Sequence, residues 1–93
     1  MATRRSILNK EVSITALYFL NKRPLKSFPR RMEFEGRAYN FIESGLQYQL
    51  SIGGRIVRLF DMTDGTSDYR LRQVDQSWTL VSITRGRISS EHI

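Results

Sequence analysis

The chain has no cysteine, one histidine and two prolines in 93 residues. Without cysteine there is no disulfide, no thiolate zinc site and no thiol nucleophile. The single histidine, His92, is the penultimate residue, and no G-x-S-x-G motif is present for it to serve. A P-loop and a G-x-G-x-x-G phosphate loop are also missing. The longest unbroken apolar run is Ala16-Leu17-Tyr18-Phe19-Leu20, far short of the roughly 20 residues a membrane helix needs. Arg4 and Arg5 precede an apolar stretch as in a signal peptide, but Lys10 and Glu11 interrupt it and no small-x-small site follows. The start therefore reads as native chain, with an organelle transit peptide as the alternative. These absences lead us to expect a non-enzymatic protein of the cytoplasm with no metal, no cofactor and no membrane partner.

What the chain does have is positive charge in one place. Fifteen basic residues face nine acidic ones, a net charge of +6. All of that excess lies within residues 1–37, where nine cations meet only Glu11, Glu33 and Glu35. Residues 38–93 carry six charges of each sign. The densest piece, K-R-P-L-K-S-F-P-R-R over residues 22–31, holds five cations, two prolines, Phe28 and no acid. Twelve of the fifteen cations are arginine, whose planar fork pairs with phosphate or carboxylate and stacks on rings. Such an asymmetry points to a polyanionic or acidic partner.

At this length the chain makes one domain, and an apolar fraction of 40% with 11% aromatics suits a folded one. Residues 1–10 show no period and read as a flexible basic N-terminus. Over 12–20, Val12, Ile14, Ala16, Tyr18 and Leu20 alternate as in a strand, while Val12, Ala16, Phe19 and Leu20 also fit a helical stripe. The β-branched run favours the strand. The alternative is an α+β fold with a helix at about 12–21. Asn21 to Pro24 reads as a turn. Short alternating segments follow: Met32 with Phe34, Tyr39 with Phe41, Tyr48 with Leu50 and Ile52, Val57 with Leu59, Tyr69 with Leu71, and Trp78 with Leu80. Glu43-Ser44-Gly45 breaks the pattern. Glu35-Gly36, Asp64-Gly65 and Val74 to Ser77 mark turns. Gly53-Gly54 between two alternating runs is the strongest hairpin signal. Trp78 to Thr84 has apolar residues on both faces, Trp78 and Leu80 on one and Val81 and Ile83 on the other, which suits an interior strand.

The expected fold is all-β or β-rich, an antiparallel meander of five to seven strands curled into a barrel or two packed sheets. Residues 11–84 form its single domain and 85–93 a flexible tail.

The box Phe34-Glu35-Gly36-Arg37-Ala38-Tyr39, with Pro24 upstream and Trp78-Thr79-Leu80-Val81 closing the domain, resembles a small bacterial β-domain family whose function is not established. That family usually has Trp where Phe34 stands and a tryptophan-rich middle that Glu43 to Gln49 does not reproduce. Some of its members are attached to, or encoded beside, lesion-bypass DNA polymerases, so the resemblance implies a role in DNA metabolism. It implies no catalytic residues.

The candidate binding residues are Lys22, Arg23, Lys26, Phe28, Arg30, Arg31 and Arg37. The cations would track nucleic-acid phosphates, and Phe28 would stack on an unpaired base. The plain alternative is a solvated loop with Phe28 tucked into the core. A protein-interaction domain, docking an acidic partner or self-associating through a sheet edge, is the rival function. Among the aromatics, most of which a β core requires, Tyr48 and Tyr69 each flank a polar face and are the choices if any are exposed. Asp61, Asp64 and Asp68 do not have the spacing of a calcium loop. Glu33 and Glu35 read as ion-pair partners for Arg31 and Arg37.

Overall fold

The computed structural model of the chain describes residues 4–20 and 26–85. Seven strands follow one another: β1 (Arg4–Leu20), β2 (Lys26–Phe34), β3 (Arg37–Asn40), β4 (Glu43–Ile52), β5 (Arg55–Thr63), β6 (Asp68–Val74) and β7 (Ser77–Arg85). The protein is all-β and antiparallel, with no helix among the described residues. Residues 12–20 are strand, as their β-branched run favours, and the helical alternative falls away.

The strands form one sheet in the order β3-β2-β1-β7-β6-β5-β4. It is not closed into a barrel. Its hinge is β1, which changes partner partway along. Arg4 to Val12 pair with β7, and Ser13 to Leu20 pair with β2. The β1–β7 ladder skips a step between Ile7 and Lys10, where Asn9 takes a left-handed φ of 51°. Asn tolerates that conformation better than most residues, and such a bulge bends the strand. A three-stranded part (β3-β2-β1) thus turns across the concave face of a five-stranded part (β1-β7-β6-β5-β4).

Two expectations are corrected here. Residues 1–10 are not wholly a loose terminus, because Arg4 onward is paired strand and Leu8 packs against the core. The bulge at Asn9 shifts the alternation by one residue and so hides the period. Glu43-Ser44-Gly45 does not break the chain either. These residues belong to β4, and the missing period is a bulge in which Gly45 and Leu46 together oppose Asp61. The Asn21–Pro24 turn and the tail beyond Arg85 lie outside the described residues.

The core is Val12, Met32, Phe41, Phe60, Met62, Tyr69, Leu71, Leu80 and Ile83. Phe60, Leu71 and Leu80 form one rung across β5, β6 and β7, and Met62, Tyr69 and Ile83 form the next. Leu80 and Ile83 share this face because Val81 is skipped in the β6–β7 register, where unbroken alternation would set them on opposite faces. As their two-faced pattern suggests, β7 is interior, between β1 and β6.

Phe41 sits where the sheet nearly meets itself. Strands β3 and β4 lie at opposite edges of the sheet, yet only Phe41 and Ile42 separate them in the chain. At that corner the Phe41 N–H donates to the Arg30 carbonyl at 2.9 Å and the Ile42 N–H to the Thr63 carbonyl at 2.8 Å. The Phe41 ring, 1% exposed, packs 5.3 Å from the ring of Tyr69. Burying such a side chain is worth roughly 1.5–3 kcal/mol, a large share of the stability of a domain this small.

Candidate functional site

The three-stranded part carries the described cations of the basic segment. Its geometry starts from two compensating bulges. Thr15 in β1 and Arg30 in β2 each stand outside the ladder, which runs regularly on either side of them. Released from β1, the Arg30 carbonyl accepts the Phe41 N–H described above. Its side chain is exposed and lies over Tyr18, with the guanidinium carbon 5.9 Å from the ring centroid. Tyr18 is held in place by donating its hydroxyl to the Phe41 carbonyl at 2.9 Å and by the Phe28 ring at 5.2 Å. Arg30, Tyr18 and Phe28 therefore form one cluster of a cation and two aromatic rings.

Phe28 is half-buried and packs against the core, so its ring contributes to the body of the domain as well as to this cluster. Arg31 is exposed and lies 3.6 Å from Glu33 on the same strand. Both side chains are about half exposed (46% and 49%), and an ion pair that wet is weak and open to competition. Arg37 begins β3 opposite Phe34, while Arg31 faces Asn40 at the other end of the same ladder. Lys26 opens β2 opposite Leu20. Lys22 and Arg23 lie outside the described residues. Arg30, Arg31 and Arg37 thus share one short piece of sheet, but the register sets Arg31 on the face of Glu33 and Asn40 and Arg37 on the opposite face with Phe34 and Tyr39. Glu35 is not a strand partner for Arg37. It occupies the β2–β3 turn with φ 52°, beside Gly36 at φ 76°.

Two members of the acidic cluster, Asp61 and Asp64, are accounted for by local structure. Asp61 takes two hydrogen bonds from Arg70, Nε to Oδ1 at 2.8 Å and Nη2 to Oδ2 at 3.0 Å. The same carboxylate pushes the Arg70 pKa further up, so the guanidinium stays charged. Asp64 organises the β5–β6 turn: its Oδ1 accepts the Thr66 and Ser67 N–H groups at 2.9 and 2.8 Å. Partial burial alone would raise its pKa, but these bonds and the Tyr69 hydroxyl hold it below the ordinary carboxylate value. Among the described residues no group of three His, Cys, Asp or Glu side chains is placed to hold a metal ion.

A cleft of about 370 Å³ opens near the β4 bulge, with Arg5, Glu43, Asp61, Arg70, Ser82 and Thr84 in its lining. Its best-defined charges, Asp61 and Arg70, satisfy each other.

Sequence reasoning missed Arg58. It lies in the inward row with Phe60, its guanidinium 4.9 Å from that ring, and donates to the Ser27 carbonyl at 3.1 Å and to Gln73 Oε1 at 3.3 Å. It therefore ties β5 to β2 across the concave face. The available signal was an arginine in phase with Ile56 and Phe60. Of the two tyrosines singled out in case any aromatic is exposed, Tyr48 is exposed but Tyr69 is 4% exposed, because its row in β6 faces the core.

No family model, curated protein or solved structure matches this chain. Among the described residues no helix is long and apolar enough to cross a membrane.

Proposed function

We propose that this chain is a small non-enzymatic binding module whose three-stranded part holds nucleic-acid phosphates with little preference for sequence. The observation that carries this reading is exposed Arg30 lying over Tyr18 beside Phe28, with exposed Arg31 next to it on β2 and exposed Arg37 on the paired strand β3. Each guanidinium that meets a phosphate releases counterions, which makes binding strong at low salt and steeply salt-dependent. Phosphate contacts hold and orient a strand but do not read it. Arg30 over Tyr18 adds a stacked cation of the kind used against unpaired bases. The resemblance of the β2–β3 hairpin box, residues 34–39, to a family with members beside lesion-bypass polymerases leans the same way.

The test is a titration of labelled single- and double-stranded DNA and RNA at about 50 and 200 mM salt. We expect binding at low salt that falls steeply, and a markedly shallower salt dependence in the triple variant R30A/R31A/R37A. Absence of binding at low salt, or equal affinity in the triple variant, overturns the reading and brings forward an acidic protein partner.

A further inference from the structure

We infer that the outer edge of β4 is a homodimer interface, to which a second copy of this chain adds its own β4 in antiparallel fashion. The inference is independent of the phosphate-binding reading, because it uses the opposite edge of the sheet.

The phase of the edge follows from its turn. Gly53 and Gly54 have φ of 56° and 80°, the signature of a type I′ turn, and Ile52 pairs with Arg55 across it. The pair flanking such a turn is a hydrogen-bonded one, and hydrogen-bonded and non-hydrogen-bonded pairs alternate from there. The backbone groups of Ile52, Leu50 and Tyr48 therefore face β5, and those of Gln47, Gln49 and Ser51 point outward. Among the described residues no strand meets them.

Exposed edges are usually guarded by charge, proline or shortness. The opposite edge, β3, is four residues long and begins with Arg37. Strand β4 is ten residues long, and residues 44–54 include no charged residue and no proline. Its outer row, Leu46, Tyr48, Leu50 and Ile52, is between 45% and 61% exposed.

The sequence of the edge selects a second copy as its occupant, because it is complementary to itself. With the two-fold axis at Gln49, the outward backbone groups match: Gln49 meets Gln49, and Gln47 meets Ser51. Between them Tyr48 lies against Leu50 of the second copy, and Leu46 against its Ile52. Every apolar residue of the row meets an apolar one, at the non-hydrogen-bonded positions where side chains approach closest. Centring on Tyr48 instead sets Ile52 against Ser44. Charge does not oppose the pairing, since residues 38–93 sum to zero and Arg55, at the strand end, lies 3.9 Å from Asp75.

Sedimentation or light scattering from about 1 μM to about 1 mM spans the affinities of interest. We expect the mass to double with concentration, and Leu50→Lys to hold the chain monomeric at the top of that range. Gln49→Pro removes one outward N–H without touching the β5 ladder and should do the same. Should that variant fold poorly, Leu50→Lys, which alters only a half-exposed side chain, decides. The chain has no cysteine, so Gln49→Cys supplies one thiol per copy at the axis. Mild oxidation should give a covalent dimer there and little at Tyr48→Cys. A monomer at every concentration, a dimer indifferent to Leu50→Lys, or cross-linking at Tyr48→Cys in place of Gln49→Cys overturns the assigned interface or its register.

Discussion

The Tyr69 hydroxyl donates to Asp64 Oδ2 at 2.7 Å, which joins the β5–β6 turn to the core through a single side chain. Tyr69 is 4% exposed and lies against Phe41 and Tyr39. Burial, then the Asp64 carboxylate, pushes its pKa well above the ordinary phenol value.

Two pH windows follow. Asp64 titrates lower in the folded chain than in the unfolded one, so its contribution is present above about pH 4 and fades as pH falls through the folded value. Tyr69 titrates higher when folded, so its contribution is present below about pH 10 and is lost as pH rises beyond. Urea unfolding of the wild type should weaken at both ends. Asp64→Ala should cost roughly 1–3 kcal/mol at neutral pH and flatten the acid limb, and Tyr69→Phe should flatten the alkaline one. Unchanged limbs in both variants would disprove the linkage.

Phe41→Ala should cost about 3–5 kcal/mol, because the ring fills the corner where β3 passes into β4. Ile42→Ala, at a neighbour that is 62% exposed, should cost far less. Thermal unfolding of the two variants measures the contrast.

Glu35 holds a left-handed φ of 52° with a full side chain. That conformation costs an L-residue about 1 kcal/mol, so Glu35→Gly or Glu35→Asn should raise stability by up to that amount. Gly53→Ala, at φ 56°, should lower it by a similar amount. Chemical denaturation resolves both.

The Asp61–Arg70 pair has near-ideal bidentate geometry but side chains 28% and 39% exposed. A double-mutant cycle should therefore give about 0.5–1 kcal/mol, not the several expected of a buried pair. A larger coupling would mean that the cleft excludes water.

Strands with unbroken alternation and a glycine turn were readable from the residues alone, as in β4–β5 around Gly53-Gly54 and the Glu35-Gly36 hairpin. What escaped were the bulges. At Asn9, at Gly45-Leu46 and at Val81 one extra residue moves the following side chains to the other face, and a period of two cannot register a shift of one. The start of β1 was hidden in this way, and so was the common face of Leu80 and Ile83. For the candidate site, the cation run was visible, but only the pairing of β2 with β3 sets Arg31 and Arg37 on one ladder. The brace made by Arg58 depends on β2 crossing the concave face, a long-range fact that no local pattern contains.

Because β1 is the only strand shared by both parts of the sheet, the order of synthesis matters. Its first residues leave the ribosome before the other described strands, yet Arg4 to Val12 pair with β7, the last of those strands in the chain. The hairpins from β2 to β6 can form while synthesis continues, but the five-stranded part must wait for residues 77–85 before its first strand has a neighbour. A chain ending at Val74 would leave both Arg4 to Val12 and the β7-facing side of β6 as bare edges.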